Sequence, residues 1–367
     1  MKNPIFWLID RKCSTQLGRR KFSEDSLKVK MANIPYTKPT REQKKAIRAY
    51  WGKYKINYDA IAMCNALNPS EKGFDVRYMP YDLHFCYVDP YYSNASAAQV
   101  LDDKNYYDMF FHDVQQPKTL ARKIDGTFLT ADYAPTTEND IAHLIENVGG
   151  AIVKVSIGSE GGYGCKIWHQ GEDESELKKI LGANRNVVIQ ELVQQHEQLS
   201  KLHPESVNTI RIMSLIRDGE VRIVSSILRM GVGTSYVDNA SSGGLYCGID
   251  SEKGCLKKNA YTREHGFVKV HPTTGVLFEG YPIPSVDKCQ ELVKRLAWRI
   301  SRTTRLASWD FSVDSDSNPI FIEVNMAYGG IQLHQSTNGP LFGDDTRAIV
   351  DAAFRKSKLK RLAQRVF

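Results

Sequence analysis

Two apolar runs in the last quarter of the chain constrain its fold most. Leu306–Val313 (LASWDFSV) and Pro319–Val324 (PIFIEV) are rich in β-branched and aromatic residues, and Asp314-Ser315-Asp316-Ser317-Asn318 between them is turn chemistry. They predict an antiparallel hairpin. Side chains alternate along a strand, so Phe321, Glu323 and Asn325 are expected on one face and Ile320, Ile322 and Val324 on the other. If Val313 pairs with Ile320, Asp310 stands directly across from Glu323. Asp310, Glu323 and Asn325 then converge as oxygen donors, a set suited to a hard cation such as Mg²⁺. Two acids alone would equally suit a solvated sheet face. The stretch Asp314-x-Asp316-x-Asn318 imitates the start of a calcium loop. Pro319 stands where that loop needs glycine, and Asn325 where it needs its closing glutamate, so calcium binding is rejected there.

Further upstream, Ala151–Ile157 reads as a strand carrying Lys154. The loop Gly158-Ser159-Glu160-Gly161-Gly162-Tyr163-Gly164 follows, then a return strand Cys165–Trp168, a helix over Glu172–Leu181 and a strand over Asn186–Val193. Glycines such as Gly161 and Gly162 let backbone N–H groups approach phosphate oxygens, and Lys154 supplies a point charge to them. The loop is neither a Walker A loop, since no Gly-Lys-Ser/Thr ends it, nor a kinase loop, since its glycines follow the lysine. Gln190, Glu191, Leu192 and Val193 can present backbone groups to an adenine edge. Glu197 is the candidate for ribose hydroxyls, with His196 the near alternative. Asn208–Ile216 and Val221–Met230 flank Asp218-Gly219, a hairpin turn signal. Pro282–Arg305 contains a helix with Leu292, Leu296 and Ile300 on one side. Thr40 caps a helix whose Ala46, Ile47, Tyr50, Trp51 and Tyr54 share a face, and Asp102–Phe111 reads as a short helix. Phe74–Pro90, aromatic and broken by prolines, predicts short strands and loops that serve core packing.

The 367 residues leave room for two or three domains. The net charge of +7 is concentrated at one end: Arg355–Phe367 holds six basic residues and no acidic one. The body is therefore nearly neutral, which argues against a nucleic-acid footprint. That basic segment predicts a helix with Leu359, Leu362 and Val366 on one side; contact with a membrane surface is the lesser reading beside a solvated helix packed on the body. No apolar run approaches the length of a membrane span, and no signal peptide is read at the start. Seven scattered cysteines, without a CxxC, predict free thiols in a reducing cytoplasm.

In order, the chain presents a helix lysine (Lys104), a strand lysine (Lys154), a glycine loop, a Gln-Glu hinge strand, a central arginine (Arg211) and Asp…Glu-x-Asn. That order resembles the ATP-grasp superfamily. Leu101-Asp102-Asp103-Lys104-Asn105, Asn208-Thr209-Ile210-Arg211, Val237-Asp238-Asn239, Ser242-Gly243-Gly244 and Ile322-Glu323-Val324-Asn325 resemble its sugar-transfer-associated group, found with surface-polysaccharide biosynthesis genes. The resemblance covers roughly residues 70 to 350. It implies an α+β, ATP-grasp fold in which two α+β subdomains clasp a nucleotide, preceded by a smaller mixed N-terminal region. The expected divisions are 1–100 (mixed, on the substrate side), 101–193 (lid with the glycine loop) and 194–367 (core with the metal site and basic terminal helix).

The resemblance also implies roles. Lys104 and Lys154 would hold ATP phosphates, Gln190 to Val193 the adenine, and Asp310, Glu323 and Asn325 one or two Mg²⁺ ions, with Mn²⁺ the near substitute. Arg211, with Lys154, would be catalytic at the transferred phosphoryl group. Asn208, Asp238, Asn239, Gly243 and Gly244 would bind substrate. The implied activity is ligation of a small-molecule carboxylate to an amine or sugar-derived nucleophile through an acyl phosphate. A small-molecule kinase or a non-catalytic partner of a sugar transferase is the alternative.

Overall fold

In the computed structural model the described residues are 40–54, 74–80, 83–94, 97–98, 101–157, 164–263 and 266–363. Helix α1 (Arg41–Trp51) begins at Thr40, whose hydroxyl accepts from the Gln43 amide while the Gln43 side chain accepts from the Thr40 amide. Its Ile47 and Trp51, with Tyr54 beyond, are buried against Phe342, Ile349 and Val350. Residues 83–92 differ from expectation. They form one continuous helical stretch, a π-helical segment His84–Val88 running into Asp89–Tyr92. Pro90 lies inside this stretch, just past the wide π-helical turn, and the helix runs through it to Tyr92. Tyr78, Met79 and Leu83 are fully buried, as core packing requires.

A five-stranded antiparallel sheet comes next, built from β1 (Thr119–Ile124), β2 (Thr127–Thr130), β3 (Gly150–Val155), β4 (Lys166–His169) and β5 (Val187–Gln190) in the order β2-β1-β5-β3-β4. Helices α2 (Glu138–Asn147) and α3 (Glu174–Gly182) cover one face, where Ala121, Val153, Val187 and Ile189 meet Ile141, Ile145, Leu177 and Leu181. The opposite face carries Arg122, Lys154 and Gln190. Strand partners fix this, since Val188 pairs with both Arg122 and Lys154, and Gln190 with Ile152.

A seven-stranded antiparallel sheet follows. Its strands are β6 (Thr209–Arg217), β7 (Glu220–Met230), β8 (Leu245–Asp250), β9 (Cys255–Tyr261), β10 (Phe267–Val268), β11 (Leu306–Val313) and β12 (Pro319–Asn325), in the order β10-β9-β8-β7-β6-β11-β12. Asp218 and Gly219 both have positive φ, the backbone that a two-residue hairpin turn demands. Helix α4 (Val286–Arg299) packs Cys289, Val293 and Leu296 onto one face, against Ile210, Ile212 and Leu228. Full burial of a side chain such as Leu296 is worth about 2 kcal/mol. Helix α5 (Ile331–Asn338) lies on the other face over β7 to β9, and α6 (Thr346–Ala363) closes the described part of the chain. Leu359 and Leu362 fall in α6; Val366 lies outside the described residues. Among the described residues no helix is long and apolar enough to cross a membrane, and Cys86, Cys165, Cys247, Cys255 and Cys289 are free thiols.

Two buried imidazoles make stability acid-sensitive. Burial pushes both His84 and His334 down to about 3. The unfolded chain takes up these protons near pH 6.5, the folded one only near 3, so stability falls as pH drops through that interval. Each histidine contributes up to about 1.4 kcal/mol per pH unit there. The urea midpoint is expected to fall between pH 7.5 and 5.5 by the equivalent of about 2–3 kcal/mol. A midpoint unchanged over that range would rule out two neutral buried imidazoles.

Candidate functional site

The second face of the large sheet gathers the charged residues. Arg211 on β6 pairs with Asp310 on β11, and Asp310 with Glu323 on β12. The expected juxtaposition of Asp310 and Glu323 is therefore present, but not by the expected register. Val313 pairs with Pro319, and Ser312 with Ile320; an extra residue at Ile322 then shifts the ladder so that Asp310 meets Glu323. The same bulge overturns the expected alternation. Phe321 joins Val324 and Met326 in the core with Tyr107, Phe111 and Trp309, while Glu323 and Asn325 turn away from it.

Asp310 is almost completely buried, and arginines engage both its oxygens. Arg211 donates Nε to Oδ1 at 2.7 Å and Nη2 to Oδ2 at 2.5 Å, and Arg229 donates Nη1 to Oδ2 at 3.1 Å. Burial works against the Arg211 charge, yet Asp310 raises its pKa above the ordinary arginine value. Arg229 continues the chain of charges, donating to Asp238 at 2.7 Å and to Asn239; Thr209 donates to the other Asp238 oxygen. At the other end, Lys104 Nζ lies 3.3 Å from Glu323 Oε2, and Arg211 lies 3.9 Å from Oε1. Burial alone would raise the Glu323 carboxyl, but Lys104, Arg211 and Arg229 outweigh it and hold it down to about 2. Opposite charges thus alternate from Asp238 through Arg229, Asp310, Arg211 and Glu323 to Lys104.

The small sheet supplies the facing group. Lys154 donates to Gln190 Oε1 at 3.1 Å, and Gln190 donates to the Pro117 carbonyl at 3.3 Å. Burial depresses the Lys154 ammonium below the ordinary lysine range. Glu191 is bonded to residue 118 through its backbone and through an ion pair with Lys118. A recess of about 350 Å³ opens where residues 115–118 and 191–194, including Leu192 and Val193, meet the turn at Asp314. That turn does not resemble a calcium loop: Asp314 spends its carboxylate on the amides of Asp316 and Asn318 and on Gln115.

Other expected residues fall elsewhere. Gly161 and Gly162 lie outside the described residues. Glu197 is 76% exposed and paired with Lys201 one helical turn on. Asn208 has no exposed surface; its amide nitrogen donates to Gln195 and to the carbonyls of Leu199 and His203, so it ties residues 195–208 together. Gly244 sits where a Cβ would come within 2.4 Å of the Asp238 carbonyl oxygen, and Gly243 adopts φ +90°. Both glycines therefore shape the turn that carries Asp238 and Asn239. Arg229 carried no sequence signal of its own. Its place depends on a second bulge, at Val224 on β7, which brings it onto the face that holds Arg211.

Among the described residues no three His, Cys, Asp or Glu side chains form a metal cluster. The oxygens available to a hard cation are those of Glu323 and Asn325, on one face at the end of β12 and both partly exposed. Asn325 Nδ2 is buried without a partner, an orphan that an oxygen-rich ligand would satisfy. This pair fits a divalent cation bound with phosphate oxygens; Asp310 would have to share an oxygen already held by arginine.

No curated protein matches the chain. Solved structures similar to it include D-alanyl-alanine synthetase A from Vibrio cholerae (15% identity, 71% of this chain and 65% of that one, TM-score 0.41). A D-alanine–D-alanine ligase from Bacillus anthracis is 16% identical over 74% of this chain and 72% of that one, with a TM-score of 0.40. A biotin carboxylase from Campylobacter jejuni is 14% identical over 71% and 48%, at 0.42. The chain thus spans less than two thirds of the Vibrio and Campylobacter proteins, and likenesses at this level say nothing of activity. The family described as sugar-transfer associated ATP-grasp matches residues 85–349. That span contains the whole charged face from Lys104 to Asn325 together with Lys154 and the hinge, and the chain belongs to the sugar-transfer associated ATP-grasp family.

Proposed function

We propose that the protein is an ATP- and Mg²⁺-dependent ligase that joins a small-molecule carboxylate to an amine or another nucleophile, in the cytoplasm, for surface-polysaccharide or sugar-conjugate assembly. The observation that carries this reading is the convergence of Lys104, Glu323, Arg211 and Asp310 on one sheet face. Positioning and charge neutralisation dominate phosphoryl transfer, and this face provides both. Lys104 and Lys154 hold the phosphates, and residues 190–193 receive the adenine. Glu323 and Asn325 would hold the cation, beside Asp310. Bound there, Mg²⁺ supplies Lewis acidity to the phosphate oxygens. A substrate carboxylate oxygen attacks the γ-phosphorus, the bond to the ADP oxygen breaks, and an acyl phosphate forms. The nucleophile then attacks the acyl carbon, phosphate leaves, and the nucleophile's proton is released. Arg211, clamped by Asp310, aims its planar fork at the charge that develops on the transferred group. The turn with Asp238, Asn239, Gly243 and Gly244 borders the substrate side.

The test is ATP turnover against pools of amino acids and nucleotide sugars, with mass detection of products. Free phosphate is expected only when a carboxylate and a nucleophile are both present. A phosphorylated acceptor without free phosphate would make the protein a kinase, and binding of MgATP without turnover in any pool would make it a non-catalytic partner.

A further inference from the structure

Arg122 lies on the small-sheet face that carries Lys154, outside the array of charges that runs from Asp238 to Lys104. Its side chain has no exposed surface. A fully buried guanidinium costs several kcal/mol unless every donor is used. Here four hydrogen bonds, from all three nitrogens, run to one short segment and its neighbour. Nη1 donates to the carbonyl of Asn105, Nη2 to the carboxylate of Asp108 and to the Ala131 carbonyl at 3.0 Å, and Nε to the same Ala131 carbonyl at 3.3 Å. The Tyr133 ring lies 4.3 Å from the guanidinium carbon, and its hydroxyl donates at 3.0 Å to the same Asn105 carbonyl.

These bonds enclose Lys104. On one side its backbone N–H donates to the Ser156 carbonyl at 3.0 Å; on the other, the Asn105 carbonyl takes two side-chain donors. Asp103 caps the turn by accepting from the Asn105 amide at 3.0 Å. The peptide following Lys104 is held through the Asn105 amide and the next one through the Asn105 carbonyl, so the turn that carries Lys104 is fixed on both sides, and the Lys104 ammonium reaches Glu323 on the other sheet. Apolar packing could anchor such a turn, but only a rigid fork of donors fixes where a carbonyl points.

We infer that Arg122, seconded by Tyr133, is a positioning residue that holds Lys104 in reach of the nucleotide phosphates. This rests on the reading of Lys104 as a phosphate ligand.

Calorimetric titration of the full chain with MgATP tests it, using Arg122→Lys, Tyr133→Phe, Lys104→Met and the double variant Lys104→Met/Arg122→Lys. Arg122→Lys is expected to weaken binding about tenfold, in the range of losses seen when the support of a ligand residue is removed, and Tyr133→Phe about threefold. The double variant is expected to bind no more weakly than Lys104→Met alone, because Arg122 acts through that lysine. Additive losses would overturn the inference, as would unchanged affinity in a folded Arg122→Lys. Should Arg122→Lys fail to fold, Tyr133→Phe decides: the threefold loss, absent in the Lys104→Met background, supports the inference, and unchanged affinity overturns it. Undiminished affinity in Lys104→Met would instead remove that lysine from the nucleotide site.

Discussion

Glu323→Gln is expected to lower ATP-dependent turnover about 10²–10³-fold, the usual loss when a fixed charge opposite a reacting group is removed. The substitution keeps size and hydrogen-bonding capacity and removes only the charge. That charge is present throughout the working range, because three cationic side chains hold the carboxyl down to about 2. It is also the charge facing Lys104 at 3.3 Å. Stability should change little, since the side chain is 26% exposed and its ion pairs are partly screened. A melting temperature within about 4 °C of the parent, with a raised Mg²⁺ requirement, is the expected accompaniment. Phosphate release within threefold of the parent would remove Glu323 from the chemistry.

Asp310→Ala should behave differently. Asp310 is 1% exposed and lies between Arg211 and Arg229. Deleting it takes from Arg211 its bidentate partner and leaves Arg229 with Asp238 alone, and breaking a buried pair in this way costs about 3–5 kcal/mol. The turn holding Asp238 and Asn239 should loosen as well, because Arg229 joins it to Asp310. Urea unfolding measures the first effect, and a loss below about 1 kcal/mol would show that the arginines do not depend on this acid. Loss of Asp310 is thus expected to affect folding and turnover together, and loss of Glu323 mainly turnover. The difference follows from burial, not from chemical type.

Much of this was legible in the residues. The strands carrying Lys154, Arg211, Asp310 and Glu323 were all readable from apolar runs and turn signals, and Asp218-Gly219 placed its hairpin to within a residue. Thr40 and its capping box marked the start of α1. By contrast, β8 to β10 carried no turn signal strong enough to read, whereas β1 and β2 are joined by Asp125-Gly126, the same two-residue turn as Asp218-Gly219, and that signal was passed over. The stretch 83–92 differs from its local signal because the prolines there do not break it: a wide π-helical turn precedes Pro90 and the helix continues through it. Asn208 was a substrate-binding candidate only through the resemblance carried by Asn208-Thr209-Ile210-Arg211. The fold uses it instead to satisfy three acceptors, which depend on where residues 195–203 pass in space.

What residue order alone determined was the inventory: which side chains can carry charge, and which strands hold them. What only the tertiary structure decided was the face on which each stands. Counting back from Asp218-Gly219 without interruption would place Arg229 on the face opposite Arg211, and counting from the 314–318 turn would leave Phe321 beside Glu323. Single extra residues at Val224 and Ile322 reverse both results. A bulge inverts the side of every residue beyond it, because the period of a strand is two. Its position is set by packing across several strands at once, so no local stretch of sequence records it.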